Sequence, residues 1–173
     1  VAKNNLIKLE NLLADNDLPF NVPEKVINIF SSEGSVLPDT YFFSDQEDLI
    51  KVLEDSEISL TEHLESLWER KPADNPLKNK AEALVLASII EREALLNSEQ
   101  TIIASVFLNR LRKGMKLQAD PTSSYGYYKD YGERIGRAVL DDENEFNTYV
   151  ISGLPPSPIC FPSKGAIEAA ITS

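Results

Sequence analysis

Cys160 and His63 are each the only residue of their kind among 173, which narrows the chemistry open to this chain at once. One thiol cannot form an intramolecular disulfide, and one Cys with one His cannot build a zinc cluster. A Ser–His–Asp or Cys–His nucleophile would have to use His63. That residue lies between Glu62 and Leu64 in a charged stretch of helical spacing and reads as a solvated helix residue. Carboxylates, hydroxyls, amides and tyrosines remain. Among them Glu91 stands out, because it follows eight nearly apolar residues and shares a helical stripe with Leu84, Ser88 and Leu95. An apolar wall disfavours the ionised form of a carboxyl group, and an acid that keeps its proton near neutral pH is what general acid catalysis needs. Glu93 projects to roughly the opposite side of the same helix and reads as solvent-facing. Two plainer accounts of Glu91 stay open: the helix surfaces at Ile90, or Arg110 or Arg112 of the next helix pairs with it.

The elements that must position such an acid are legible in outline. Leu6, Leu9, Leu12 and Leu13 recur at helical spacing, and Pro23 with Val26, Ile27 and Phe30 predicts a short second helix. Thr40, Tyr41, Phe42 and Phe43 follow a Pro-Asp turn and predict a strand. Ser44 and Glu47 form a capping-box pattern that opens a helix through Leu49, Ile50 and Leu53, continuing through Leu60, Leu64, Leu67 and Trp68. Residues 71–79, polar and twice interrupted by proline, read as a linker. A helix over 80–96 is apolar nearly all round at its centre, the mark of burial on most faces. Asn97 or Ser98 can cap the next helix, which carries Ile102, Ile103, Val106, Phe107 and Leu111 inward and ends on Arg110, Arg112, Lys113 and Gly114. Residues 115–142 hold four tyrosines and weak periodicity, which suggests a long ordered loop. Residues 146–151 alternate like a strand, and 166–171 begin a final helix. The expected class is α+β: helix-rich, with a small β-sheet and a long ordered loop lining a cleft.

Composition excludes other functions. Seventeen Lys and Arg against 28 Asp and Glu give a net charge of −11, unsuited to holding a phosphate backbone, so nucleic acid is set aside as a partner. The longest uninterrupted apolar run, residues 83–87, is far short of the roughly 20 residues a membrane-spanning helix needs. The opening residues carry no basic or apolar leader pattern, and the chain reads as a fragment or processed form of something longer.

Several separated strings together resemble the YceG-like family of endolytic murein (peptidoglycan) lytic transglycosylases. They are Glu33-Gly34-Ser35-Val36-Leu37-Pro38-Asp39-Thr40-Tyr41, Leu86-Ala87-Ser88-Ile89-Ile90-Glu91-Arg92-Glu93 and Ile103-Ala104-Ser105-Val106-Phe107-Leu108-Asn109-Arg110-Leu111. Further along come Gly114-Met115-Lys116-Leu117-Gln118-Ala119-Asp120-Pro121-Thr122, Phe146-Asn147-Thr148-Tyr149 and Gly153-Leu154-Pro155-Pro156-Ser157-Pro158-Ile159. The resemblance covers residues 33 to the end, and divides the chain into an N-terminal helical region, 1–32, and a catalytic domain, 33–173, truncated at its C-terminus.

The resemblance implies endolytic cleavage of glycan strands between MurNAc and GlcNAc, without water, leaving 1,6-anhydro-MurNAc ends. It places the catalytic glutamate at Glu91, as acid and then base. It implies substrate-binding roles for Glu33, Gln118, Asp120, Thr122, Tyr125, Asn147 and Tyr149, and needs no metal or cofactor. Asp39 reads equally as turn chemistry beside proline. The implied partners are peptidoglycan glycan strands and cell-wall synthases, with membrane attachment only through an N-terminal anchor absent from this chain. The implied location is the extracytoplasmic face of the bacterial cell membrane. A glycoside hydrolase using Glu91 as acid and Asp120 or Asp39 as base, and a glycan-binding scaffold without catalysis, are the alternatives.

Overall fold

The helix expected over 80–96 runs from Lys80 to Glu93 and is the axis of the structure, a computed structural model that describes residues 24–30, 32–41, 46–128 and 135–173. In chain order the helices are α1 (Glu24–Phe30), α2 (Gln46–Trp68), α3 (Lys80–Glu93), α4 (Gln100–Arg112), α5 (Asp120–Tyr128), α6 (Arg137–Leu140) and α7 (Lys164–Thr172), with a 3₁₀ turn, Asn97–Glu99, before α4. The helix expected before residue 17 lies outside the described residues.

α3 starts where Asn79 accepts the Glu82 amide, and every residue from Val85 to Glu91 is buried. Such a helix needs partners on several sides, and α7 is the closest of them. Ala83 and Ala87 on α3 and Ala166, Ala169 and Ala170 on α7 are all buried, and these small side chains let two helices approach closely. Leu60, Leu64 and Leu67 of α2 and Phe107 and Leu108 of α4 complete the main core. A second cluster, Val26, Ile29, Val36, Leu49 and Leu53, joins α1 to the first half of α2. Between the two, buried Ser56 accepts the Leu37 amide at 3.0 Å and donates to the Leu37 carbonyl at 3.2 Å, pinning the 36–41 segment to α2.

Three sequence expectations need correction. The described residues contain no strand: Thr40 and Tyr41 are irregular, residues 42–43 lie outside the description, and 146–151 form successive turns. The turns arise because the Asn144 side chain takes the amides of Phe146 and Asn147, while the Asn147 carbonyl takes those of Val150 and Ile151. Side-chain acceptors have displaced a ladder. Residues 71–79 are no loose linker, since buried Asn75 donates to the Ala170 and Ile171 carbonyls at 3.1 and 2.9 Å and so caps the end of α7. α4 turns Ala104, Phe107 and Leu108 inward instead of Ile102 and Val106, which are exposed. Cys160 is half-buried, its thiol donating to the Ser88 carbonyl at 3.3 Å.

Gly34 sits at φ +80° under Pro158, where a Cβ would lie 2.8 Å from the proline Cγ. We expect Gly34→Ala to cost at least about 1–2 kcal/mol for the left-handed backbone alone. A thermal melt lowered by several degrees would show it, and an unchanged melt would mean the turn relaxes.

Candidate active site

Two glutamates close α3 on different sides of the helix, and the structure treats them differently. Glu91 is only 5% exposed. One of its oxygens, Oε2, accepts from Ser163 Oγ at 2.6 Å, from the Ser163 amide at 3.3 Å and from Gln100 Nε2 at 3.2 Å. Ser163 is also the N-cap of α7, accepting the Ala166 amide. Glu91 therefore anchors the start of α7 and of α4 against the end of α3. A carboxylate at a helix N-terminus is favourably placed for the dipole as well. Arg110 donates instead to the Leu117 carbonyl, and Arg112 bonds to Asp74.

Glu93 is exposed. Partial desolvation first, and the negative charge of Asp120 second, hold its carboxyl above the usual range, with Arg110 pulling the other way. Asp120 is the first residue of α5, and its Oδ1 accepts the Tyr149 hydroxyl at 2.6 Å. Burial, that hydrogen bond and the charges of Asp120 and Glu93 push the Tyr149 phenol up to about 12, so it remains a donor. Glu93, Asp120, Tyr149 and Arg110 thus form one electrostatically coupled group.

What positions that group is a buried hydroxyl and amide network. The Gln118 amide donates to the Thr148 carbonyl at 3.1 Å, and the Ala119 amide to Thr148 Oγ1 at 2.9 Å. Thr122 and Thr148 hydroxyls meet at 2.8 Å. Asn147 accepts from Ser123 Oγ and the Tyr149 amide, and donates to the carbonyls of Val139, Leu140 and Asp142. The backbone of Gln118 adopts φ +52°, the left-handed region a side chain rarely occupies. Such strain persists where the surroundings over-determine it, and functional sites collect it.

The expected sugar ligands therefore separate. Gln118 and Asp120 are exposed and Tyr149 half-buried, Asp120 and Tyr149 within the electrostatic reach of Glu93. Thr122 and Asn147 are fully buried, with their polar atoms engaged by the protein. Tyr125 donates to Glu33 Oε1 at 2.9 Å and meets Phe146 edge-on at 5.0 Å. Burial and Glu33 push that phenol well above its ordinary value, so the Tyr125–Glu33 pair acts as a clamp from α5 to the Gly34 turn. Asp39 accepts the Thr40 amide at 2.7 Å, which is turn chemistry.

Sequence reasoning missed Glu93, Gln100 and Ser163. Glu93 looked merely wet, since helix spacing shows which side a residue takes but not that Asp120 waits there. The donors on Glu91 come from 9 and 72 residues away. No local pattern carries that.

The comparisons with known proteins follow the same outline. The model of the YceG-like family matches residues 3–173. An endolytic murein transglycosylase of Bacillus subtilis (strain 168) is 36% identical over 182 residues, covering 96% of this chain and 48% of the relative. One from Streptococcus pneumoniae (strain D39) is 31% identical over 144 residues, 80% of this chain and 26% of the relative. The crystal structure of a yceG-like protein from Listeria monocytogenes superposes with a TM-score of 0.65 at 29% identity, covering 92% of this chain and 54% of that one. The chain spans about half or less of the relatives it matches.

Proposed function

This chain belongs to the YceG-like family, and on that premise we propose that it cleaves peptidoglycan glycan strands internally as a lytic transglycosylase, with Glu93 as the acid and base. The carrying observation is that Glu93 is open to solvent while its carboxyl is held above the ordinary range beside Asp120. An acid that must protonate a substrate needs both access and a retained proton. Glu91, where the family resemblance places the acid, is the second reading; it is buried and hydrogen-bonded to Ser163 and Gln100.

In the proposed reaction Glu93 donates its proton to the glycosidic oxygen between MurNAc and GlcNAc. The C1–O bond breaks, the GlcNAc hydroxyl leaves, and C1 develops oxocarbenium character. The Glu93 carboxylate then removes the proton from the C6 hydroxyl of the same MurNAc, whose oxygen closes on C1. The proton returns to Glu93 and no water is consumed. The nucleophile comes from the substrate, so Asp120 need not act as a hydrolytic base. Its charge adds to the upward push that partial desolvation gives the Glu93 carboxyl, and Tyr149 holds Asp120 by a hydrogen bond. Gln118 is placed to bind a sugar hydroxyl or N-acetyl group. Glycan strands lie outside the cytoplasmic membrane, which puts the reaction there. No helix among the described residues is long and apolar enough to cross a membrane.

Mass spectrometry of digested glycan strands tests the reading. Products lighter by one water, with anhydro ends, are expected. Ordinary reducing ends would make the protein a hydrolase, and binding without cleavage would make it a scaffold.

The Asp120 role has its own test in pH dependence. A neighbouring negative charge raises the Glu93 value, so removing it lowers that value. Activity that needs protonated Glu93 is lost as pH rises through it. Asp120→Asn should therefore move the alkaline limb of kcat/KM to lower pH. A limb that stays put or moves upward would show that Asp120 does not tune the acid.

A further inference from the structure

α4 ends on a turn that Arg110 closes from both sides. The Met115 amide donates to the Arg110 carbonyl at 2.8 Å, and the Gly114 amide to the Leu111 carbonyl at 3.1 Å. Gly114 takes φ +62°, the left-handed step that lets a helix stop in this way. The Arg110 side chain then passes the turn, and its Nη1 donates to the carbonyl of fully buried Leu117. Arg110 thus grips both ends of the 115–117 segment, the first with its backbone and the second with its guanidinium.

The second grip falls on a particular peptide unit. The Leu117 carbonyl and the Gln118 amide are opposite edges of one rigid plane, and that amide donates to the Thr148 carbonyl at 3.1 Å. Arg110 and Thr148 therefore hold the plane between them, and its orientation helps to set the φ of +52° at Gln118. A non-glycine residue stays in the left-handed region only where its surroundings fix it there. Two residues on, Asp120 opens α5 and accepts the Tyr149 hydroxyl. Arg112, by contrast, is ion-paired with Asp74. The Arg110 bond goes to a neutral carbonyl, which leaves its charge to act on Glu93 and Tyr149 against the pull of Asp120.

We propose that Arg110 is a positioning residue of the site around Glu93: with Thr148 it locks the 117–118 peptide, and so fixes where Gln118 and Asp120 stand. Its cation also offsets Asp120, which suits a carboxyl that must give up a proton and take one back. The catalytic part rests on the transglycosylase reading with Glu93 as the acid; the grip on the peptide does not.

Two variants test it. Arg110→Met removes the donors and the charge. Arg110→Lys keeps the charge, but its amine ends one bond short of where Nη1 sits and lacks the planar fork. Amide hydrogen exchange followed by NMR reads the grip: Gln118 and Ala119 should exchange at least about tenfold faster in both variants, while amides in the buried centre of α3 keep their rates. The pH profile of glycan cleavage reads the charge. Removing a positive neighbour raises the Glu93 value, and activity that needs protonated Glu93 is lost as pH rises through it. Arg110→Met should therefore lower kcat/KM and move its alkaline limb to higher pH, whereas Arg110→Lys should lower kcat/KM and leave the limb in place. A residue that only stabilised the fold would speed exchange in α3 as well and move no limb. Unchanged exchange at Gln118 and Ala119, read in Arg110→Lys alone if Arg110→Met does not fold, overturns the proposal, and so does an unmoved limb in a folded Arg110→Met. Faster exchange at those amides in a protein whose parent form cuts no glycan would sink the transglycosylase reading and leave the grip standing.

Discussion

Replacing Glu93 with Gln should lower glycan cleavage by roughly 10²–10⁴-fold, the usual contribution of a positioned general acid or base. The melting temperature should hardly move, because Glu93 is exposed and its neighbours lose a like charge. Gln keeps the shape and can still donate a hydrogen bond, but it has no proton to give to a leaving oxygen. Glu91→Gln should show the opposite profile. The Ser163 amide, the Ser163 hydroxyl and the Gln100 amide all aim donors at Glu91 Oε2. Gln keeps one oxygen for them, but without the carboxylate charge each of these hydrogen bonds is weaker. Stability should fall, and activity should fall far less than in Glu93→Gln. Measuring anhydro product and melting temperature on both variants separates the cases. Full cleavage by Glu93→Gln would return the acid to Glu91.

Asn147→Ala should destabilise the fold by at least ~3 kcal/mol, because each buried polar group left without a partner costs roughly 1–3 kcal/mol. The side chain is fully buried and serves Ser123, Tyr149 and three backbone carbonyls. For a chain of this size that corresponds to a melting temperature lower by roughly 6–12 °C. Activity should fall with it, since the Asn147 turn sets Tyr149, and Tyr149 holds Asp120. Had Asn147 been a sugar ligand, the variant would melt like the parent and show only a raised KM. The two outcomes do not overlap.

These pairs show what was legible in the residue order. The start and the buried centre of α3 could be read, because an all-round apolar run has one physical solution, burial, and the core forms around it; its end came three residues early, at Glu93. α7 and the basic end of α4 followed from ordinary helix signals. What failed were readings that needed a partner's identity. Alternation at 146–151 suggested a strand, but two asparagines spaced three apart can supply acceptors that fold the chain into turns instead. Thr122 and Asn147 carried polar groups in matched strings, and nothing local distinguishes a polar group that faces a ligand from one that faces another loop. Glu91 was rightly placed in an apolar wall, yet the wall's purpose depended on Ser163, far along the chain. Periodicity reports which side a residue takes, and only the assembled structure reports what it meets there.

The seam between α3 and α7 has a consequence for how the molecule comes into being. A large part of the packing around α3 comes from buried residues of α7, Ala166, Ile167 and Ala169 to Ile171, and the end of α7 is in turn capped by Asn75. On the ribosome, α3 emerges about eighty residues before its mate, and such non-local closure is slow compared with helix formation. During that interval a greasy rod stands uncovered, so synthesis of this protein should lean on holding factors until the last turn arrives.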